Sequence, residues 1–273
     1  MQPKRRTTTQ APYTGAILIA DITGYSQYLN ESELTYAEQT LRELLELLVT
    51  GTRPPLVVSK LEGDAVLSYL IDGGSLRGQA FVEVVEALYV EFRKALELMV
   101  LNTTCKCNAC VNIGNLDLKF FVHHGEFMVS DIAGIKELQG SDVNLLHRLV
   151  KNTVTADTGI RAYVIYTQQA IDAMGLAEVT EAMVEHIDHY PDVGELTTRV
   201  EDLLPVWEAG RTRTRISVDP DEALITNSTL LHMPLEIAWA YLIDPRYRNT
   251  LIGSDRQEVV ETSQGRVAKG SVY

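Results

Sequence analysis

Five apolar residues running straight into a carboxylate, Ala16-Ile17-Leu18-Ile19-Ala20-Asp21, constrain this chain more than any other feature. A run this short cannot span a bilayer. It reads instead as a strand over Gly15–Asp21, buried along its length, that presents an acid at its end. Gly24 follows and permits a tight turn.

The next segment changes period. From Thr35 to Val49 the apolar positions Ala37, Leu41, Leu44, Leu45 and Leu48 have helical spacing. Pro54-Pro55 breaks the helix. Leu56–Ser59 and Asp64–Leu70 then predict a hairpin whose tip is Lys60-Leu61-Glu62-Gly63. Asp72-Gly73-Gly74-Ser75 punctuates, and Ser75 caps a long helix expected from Arg77 to Leu101. A loop with three cysteines leads to a strand over Leu116–His124, closed by Gly125. A helix over Asn144–Val150 follows Gly140, and a strand over Tyr163–Tyr166 feeds a helix that runs to Met174. The order β-α-β-β-α-β-(α)-β-α predicts an α+β domain: a mixed, mainly antiparallel sheet flanked by helices.

The texture changes near residue 218. Thr214–Val218 reads as a short strand, Asp219-Pro220-Asp221 as a turn, and Ala238–Leu242 as a helix, with strand-like stretches at Glu258–Glu261 and Gly270–Tyr273. We expect a polar tail over 1–12, a main domain over 13–218 and a second segment over 219–273. That segment is short for a core of its own.

Charge narrows the partners. The 273 residues carry a net charge of −13, which repels nucleic acid across most of the surface. A nucleotide is compatible, because metal ions can bridge its phosphates to protein carboxylates. Lys4, Arg5 and Arg6 precede no apolar stretch of the kind that makes a secretory signal, so the expected location is the cytoplasm, with no membrane span.

Two acidic sites then stand out. Asp21 ends the first strand and Asp64 follows the hairpin tip, 43 positions later. Either alone is a common turn former. Adjacent strands would bring the two together, and paired hard carboxylates suit Mg²⁺ or Mn²⁺ that also binds phosphate oxygens.

With these residues in place the sequence resembles the class III adenylate and guanylate cyclases over roughly residues 13–210. Their first strand carries a motif like F-x-D-I-x-G-F, matched by Ile19 to Tyr25 with Ile19 and Tyr25 in place of the two Phe. Their hairpin block K-x-x-G-D is matched in full by Lys60 to Asp64. Their G-x-x-V-N-x-x-x-R block is matched by Gly140, Val143, Asn144 and Arg148. The resemblance implies the cyclase catalytic fold, of ferredoxin-like type, and a set of roles. Asp21, Asp64 and the backbone carbonyl of Ile22 would hold two Mg²⁺ or Mn²⁺ ions. Arg148 would stabilise charge on the α-phosphate, and Asn144 would orient the ribose. Lys60 would donate to adenine N1, and Glu137 would accept from the exocyclic amine, where the family more often has Asp, Thr or Ser. That donor and acceptor fit ATP. Cytosine offers a similar edge, so CTP stays open, as do GTP and UTP. In this family metals bind one subunit while base and transition-state residues come from the other, so a homodimer is implied.

Several features depart from the pattern. His147 stands where the family has a small residue. A triphosphate-binding lysine in a late strand has no counterpart in Tyr190–Leu196, and Arg199 is the nearest base. Cys105-x-Cys107-x-x-Cys110 is an insertion; it supplies either three ligands of a structural Zn²⁺ or three reduced thiols in a loop. One of His123 and His124 must face inward, as a satisfied core histidine. From Asn227 the chain resembles the opening of a START-like domain, through Met233-Pro234-Leu235-Glu236-Ile237-Ala238-Trp239 and Asp244-Pro245. The sequence ends before most of such a fold, so it is expected either to be truncated there or to pack that piece on the main domain. Two functions follow: an active cyclase, favoured by the complete Asp21, Asp64, Asn144 and Arg148 set, or a quiet nucleotide- or ligand-binding sensor, favoured by the missing lysine.

Overall fold

The computed structural model describes residues 11–54, 56–73, 76–103, 105–132 and 135–214. Among them the strands are β1 (Tyr13–Thr23), β2 (Val57–Glu62), β3 (Ala65–Ile71), β4 (Asp117–Ile132), β5 (Ile135–Gln139), β6 (Tyr163–Thr167), β7 (Val184–Tyr190) and β8 (Gly194–Asp202). The helices are α1 (Tyr25–Glu31), α2 (Leu34–Thr52), α3 (Gln79–Asn102), α4 (Asn108–Asn112), α5 (Ser141–Leu149), α6 (Val154–Thr158), α7 (Gln168–Met174), α8 (Ala177–Thr180) and α9 (Leu204–Thr214).

The strands form one sheet in the order β2-β3-β1-β4-β6-β8-β7, with β5 added to the far end of β4. Only β4 and β6 run parallel; the other pairings are antiparallel. This is the expected α+β architecture.

β1 lies at the centre of this sheet, which accounts for its unbroken apolar run. Ala16, Leu18, Ala20 and Ile22 face a core built with α2 and α3, through Leu41, Leu44, Leu48, Phe81, Val85 and Phe92. Ile17 and Ile19 face the opposite core, where α5 contributes Val143, Leu146 and Leu149. Alternation along the strand therefore carries Asp21 to the α5 side.

Several boundaries differ from expectation. β4 does not stop at Gly125 but continues to Ile132. A Cβ at Gly125 would lie 2.3 Å from the Asp142 carboxylate, so this glycine admits α5 against the strand rather than ending it. α3 starts at Gln79 with Gly78 as its N-cap, not at Arg77, and Ser75 lies outside the described residues. Thr214 closes α9 instead of opening a strand. The remainder of that predicted strand and the START-like segment lie outside the described residues. None of the described helices is long and apolar enough to cross a membrane.

Candidate functional site

Asp21 sits opposite Ala65 of β3 and Lys119 of β4. The Ile22 N–H donates to the Asp64 carbonyl oxygen at 3.1 Å, which draws the hairpin tip against the end of β1. The two acids that the sequence separates by 43 positions thereby become neighbours. Burial, then the Asp64 charge, raises the Asp21 carboxyl to about 6, and Lys119 only partly opposes this. Burial raises Asp64 as well. Burial pushes the Lys119 ammonium down while the Asp21 charge opposes this, and its Nζ lies 4.9 Å from the centre of the Tyr163 ring. Two neighbouring acids that offer oxygen donors fit a hard divalent cation. Ile22 can contribute only main-chain atoms, since its side chain is buried in the opposite core.

Lys60 reaches its position through a β-bulge. Val58 pairs with Ser68, yet Lys60 pairs with Leu67, so Ser59 is an extra residue in β2. Were Ser59 to pair with Leu67 in a regular ladder, Lys60 would oppose Val66 and face the α2 core. The bulge turns it to the α5 side, where Leu67 is buried. There the Lys60 Nζ donates to Glu137 Oε2 at 2.7 Å and lies 2.8 Å from Glu62 Oε1. The hydrogen bond to Glu137, followed by that to Glu62, pushes the Lys60 ammonium upward. His147 Nδ1 lies 3.3 Å from Glu62 Oε2, so the residue in the unusual position before Arg148 joins this cluster.

The Lys60–Glu137 contact also defines the shape of the sheet. Lys60 lies in the row Leu67–Ile19–Phe121, whereas Glu137 pairs with Ser130, nine residues farther along β4. For the two side chains to touch, the β4–β5 ribbon must curl back over the α5 face. Leu138 is buried in that face, and the Tyr69 and Phe127 rings meet edge to face at 5.4 Å.

α5 is seated by its first residues. Gly140 precedes it with φ 155°, and a Cβ there would lie 2.9 Å from the Glu126 carbonyl oxygen. Asp142 Oδ2 accepts the Glu126 N–H at 2.7 Å, and Asp142 Oδ1 lies 3.3 Å from Nε2 of the buried His123. His123 is the inward member of the pair, its Nδ1 2.9 Å from Thr167 Oγ1 and its Nε2 buried without a hydrogen-bond partner, while His124 pairs with Asp72. Asn144 and Arg148, one turn apart, stay accessible on α5. Arg148 donates to Asp192 Oδ2 at 3.0 Å across a cleft of about 420 Å³ that Lys151, Thr153, Asp188 and Tyr190 also line.

The hydrogen bonds and ion pairs among the described residues do not join Asn144 or Arg148 to Asp21 or Asp64. Arg199 is held by Glu185 at 2.9 Å. The three cysteines converge, with all Sγ atoms within 4.8 Å of one another. Sequence reasoning missed Lys119, Glu62, Asp192 and Lys151. Lys119 had a signal: it is a cation in the strand position between buried Leu118 and Phe120, on the face of Phe121.

Residues 41–158 match the model of a family described as Protein of unknown function (DUF2652). Uncharacterized protein Rv2561/Rv2562 of Mycobacterium tuberculosis H37Rv is 27% identical over 164 residues, which is 60% of this chain and 73% of that one. The adenylyl cyclase CyaB from P. aeruginosa superposes with a TM-score of 0.51 at 13% identity, over 70% of this chain and 95% of its own. A bacterial light-regulated adenylyl cyclase gives 0.51 at 13% identity over 74% and 99%. The guanylyl cyclase Cya2 gives 0.50 at 15% identity over 70% and 92%. The chain thus has the fold of adenylyl and guanylyl cyclase domains.

Proposed function

We propose that the chain is a nucleotidyl cyclase that converts ATP to cyclic AMP and pyrophosphate at the interface of a homodimer in the cytoplasm. The observation that carries this reading is the Asp21–Asp64 pair: two acids brought together at the end of the central strand, both with carboxyls raised chiefly by burial. The likeness in fold to adenylyl and guanylyl cyclases supports it.

Two Mg²⁺ or Mn²⁺ ions held by Asp21, Asp64 and the Ile22 backbone would acidify the ribose 3′-hydroxyl and neutralise the departing pyrophosphate. The 3′-oxygen attacks the α-phosphate, and the bond to pyrophosphate breaks. Arg148 places its guanidinium against the charge that builds on the α-phosphate. Asn144, one turn away, hydrogen-bonds the ribose and holds the attack in line. Lys60 donates to N1 of adenine, and Glu137 accepts from its amine; the two already lie 2.7 Å apart, so donor and acceptor are paired before the base arrives. Among the described residues no hydrogen bond or ion pair joins Asn144 or Arg148 to Asp21 or Asp64, which favours completion of each site by a second copy.

The test is a product assay of the purified protein with Mg²⁺ or Mn²⁺ and each of ATP, GTP, CTP and UTP, beside Asp64→Ala. Cyclic AMP that vanishes in the variant is expected. A different cyclic nucleotide would keep the mechanism and overturn the base assignment. No cyclic product from folded, dimeric protein would sink the cyclase reading.

One observation favours a second reading, a quiet nucleotide- or ligand-binding sensor. Arg148 is tied to Asp192, and Tyr190–Leu196 supplies no base for a triphosphate tail. Under that reading ATP binds without turnover.

A further inference from the structure

Three sulfurs lie apart from the chemistry described so far. Cys105 and Cys107 precede the short helix α4, and Cys110 lies within it. All three are free thiols, with Sγ atoms mutually within 4.8 Å. The Cys107 N–H approaches Cys105 Sγ at 3.4 Å. The sulfurs face one another rather than scattering to solvent and core.

Thiols alone give little reason for such convergence, because S–H is a weak donor and sulfur a weak acceptor. Holding the loop in one conformation also costs backbone entropy. A tetrahedral cation with metal–sulfur bonds of about 2.3 Å sets its sulfurs about 3.8 Å apart. The observed triangle needs only slight closure to meet that spacing.

We propose that Cys105, Cys107 and Cys110 form a thiolate site for one Zn²⁺ per chain. Soft sulfur selects Zn²⁺ over Mg²⁺ or Mn²⁺, so this site and the Asp21–Asp64 pair take different metals. Among the described residues no fourth histidine, cysteine or carboxylate joins the group. Cys105 is exposed, which leaves the fourth position of a tetrahedron open to water.

The site fixes the connection between α3 and β4. The Glu33 carboxylate, at the junction of α1 and α2, accepts the N–H groups of Asn108 and Ala109 at 3.4 and 3.1 Å. Ala109 and Ile113 are buried in the core beneath. β4 begins at Asp117, two residues before Lys119, so a metal here braces the strand that runs beside Asp21.

The experiment uses the full chain, purified under reducing conditions and equilibrated with Zn²⁺. Elemental analysis should give one zinc per chain, and none in the triple variant C105S/C107S/C110S. Cobalt exchanged into the wild type should show thiolate-to-metal charge transfer and the intense visible bands of a tetrahedral ion. The three thiols should resist Ellman's reagent until a chelator is added. Because the cobalt and thiol measurements use the wild type, they decide the matter even if the variant fails to fold. Three freely reactive thiols without bound zinc, a Cys107–Cys110 disulfide in the reduced preparation, or undiminished zinc in the triple variant would overturn the proposal. None of these readouts depends on cyclase activity.

Discussion

Glu201 on β8 lies against Glu86 on α3, and the environment drives its carboxyl up to about 8, chiefly by burial and then through the hydrogen bond and like charge of Glu86. Its Oε2 is buried without a partner, as is the nearby Tyr166 hydroxyl. The folded chain therefore keeps this proton to about pH 8, while the unfolded chain releases it near the ordinary glutamate value of 4.5. The stabilisation is complete below about 4.5, shrinks as pH rises, and is gone once pH passes the folded value. At about 1.4 kcal/mol per pH unit, the full displacement amounts to about 4 kcal/mol between about pH 5 and pH 9. Partial exposure and proton sharing with Glu86 reduce that to ~2 kcal/mol. Glu201→Gln keeps the shape and a donor toward Glu86 but cannot ionise. Urea unfolding followed by circular dichroism should give nearly equal stabilities at about pH 5. The variant should pull ahead by ~2 kcal/mol near pH 9 with an unchanged denaturant slope. Other titrating groups cancel in the difference between the two proteins. A constant offset at every pH, or a wild type that is the more stable protein at high pH, would refute the reasoning.

Three further outcomes follow from the site. Deleting Ser59 removes the bulge but leaves Lys60 opposite Leu67 on the α5 side, so kcat/KM for ATP should stay within ~10-fold of wild type, whereas Lys60→Ala should lower it ~10–100-fold with little change in the thermal midpoint, as read by kinetics and circular dichroism. Gly125→Ala pushes Asp142 off the Glu126 N–H and should cost about 1–3 kcal/mol in denaturant unfolding, with a loss of activity because α5 carries Asn144 and Arg148. Asp21→Asn should abolish both cyclic product and the rise in melting temperature that Mg²⁺ or Mn²⁺ gives the wild type in thermal shift assays.

The sequence revealed those elements whose burial follows one simple period. β1, α2, α3 and β6 are buried in the pattern that their apolar residues spell out. β7 and β8 escaped notice because polar residues occupy inward positions: His186, Asp188 and Thr198 are buried. α1 is seven residues long and buries only Tyr28, too little for a helical stripe. The meeting of Asp21 with Asp64 was legible from strands that end in acids, and that of Lys60 with Glu137 only through the resemblance to cyclases. The means were not. A bulge at Ser59 shows in a register, not in a composition, and the hold of Asp192 on Arg148 joins positions 44 apart that no local pattern links.

On the proposed roles of Lys60 and Glu137 in reading the base, the curl of the β4–β5 ribbon has a consequence for how such a domain changes its choice of nucleotide. Glu137 is carried on the free end of a ribbon whose root is clamped between β1 and β6, while Lys60 belongs to the sheet itself. The gap between donor and acceptor is therefore set by how tightly the ribbon bends as well as by which side chains it bears. Substitutions under the bend, at Phe127 or Leu138, would widen or narrow the slot without touching a residue that meets the nucleotide. A lineage could retune recognition by adjusting curvature first and exchanging hydrogen-bonding groups afterwards.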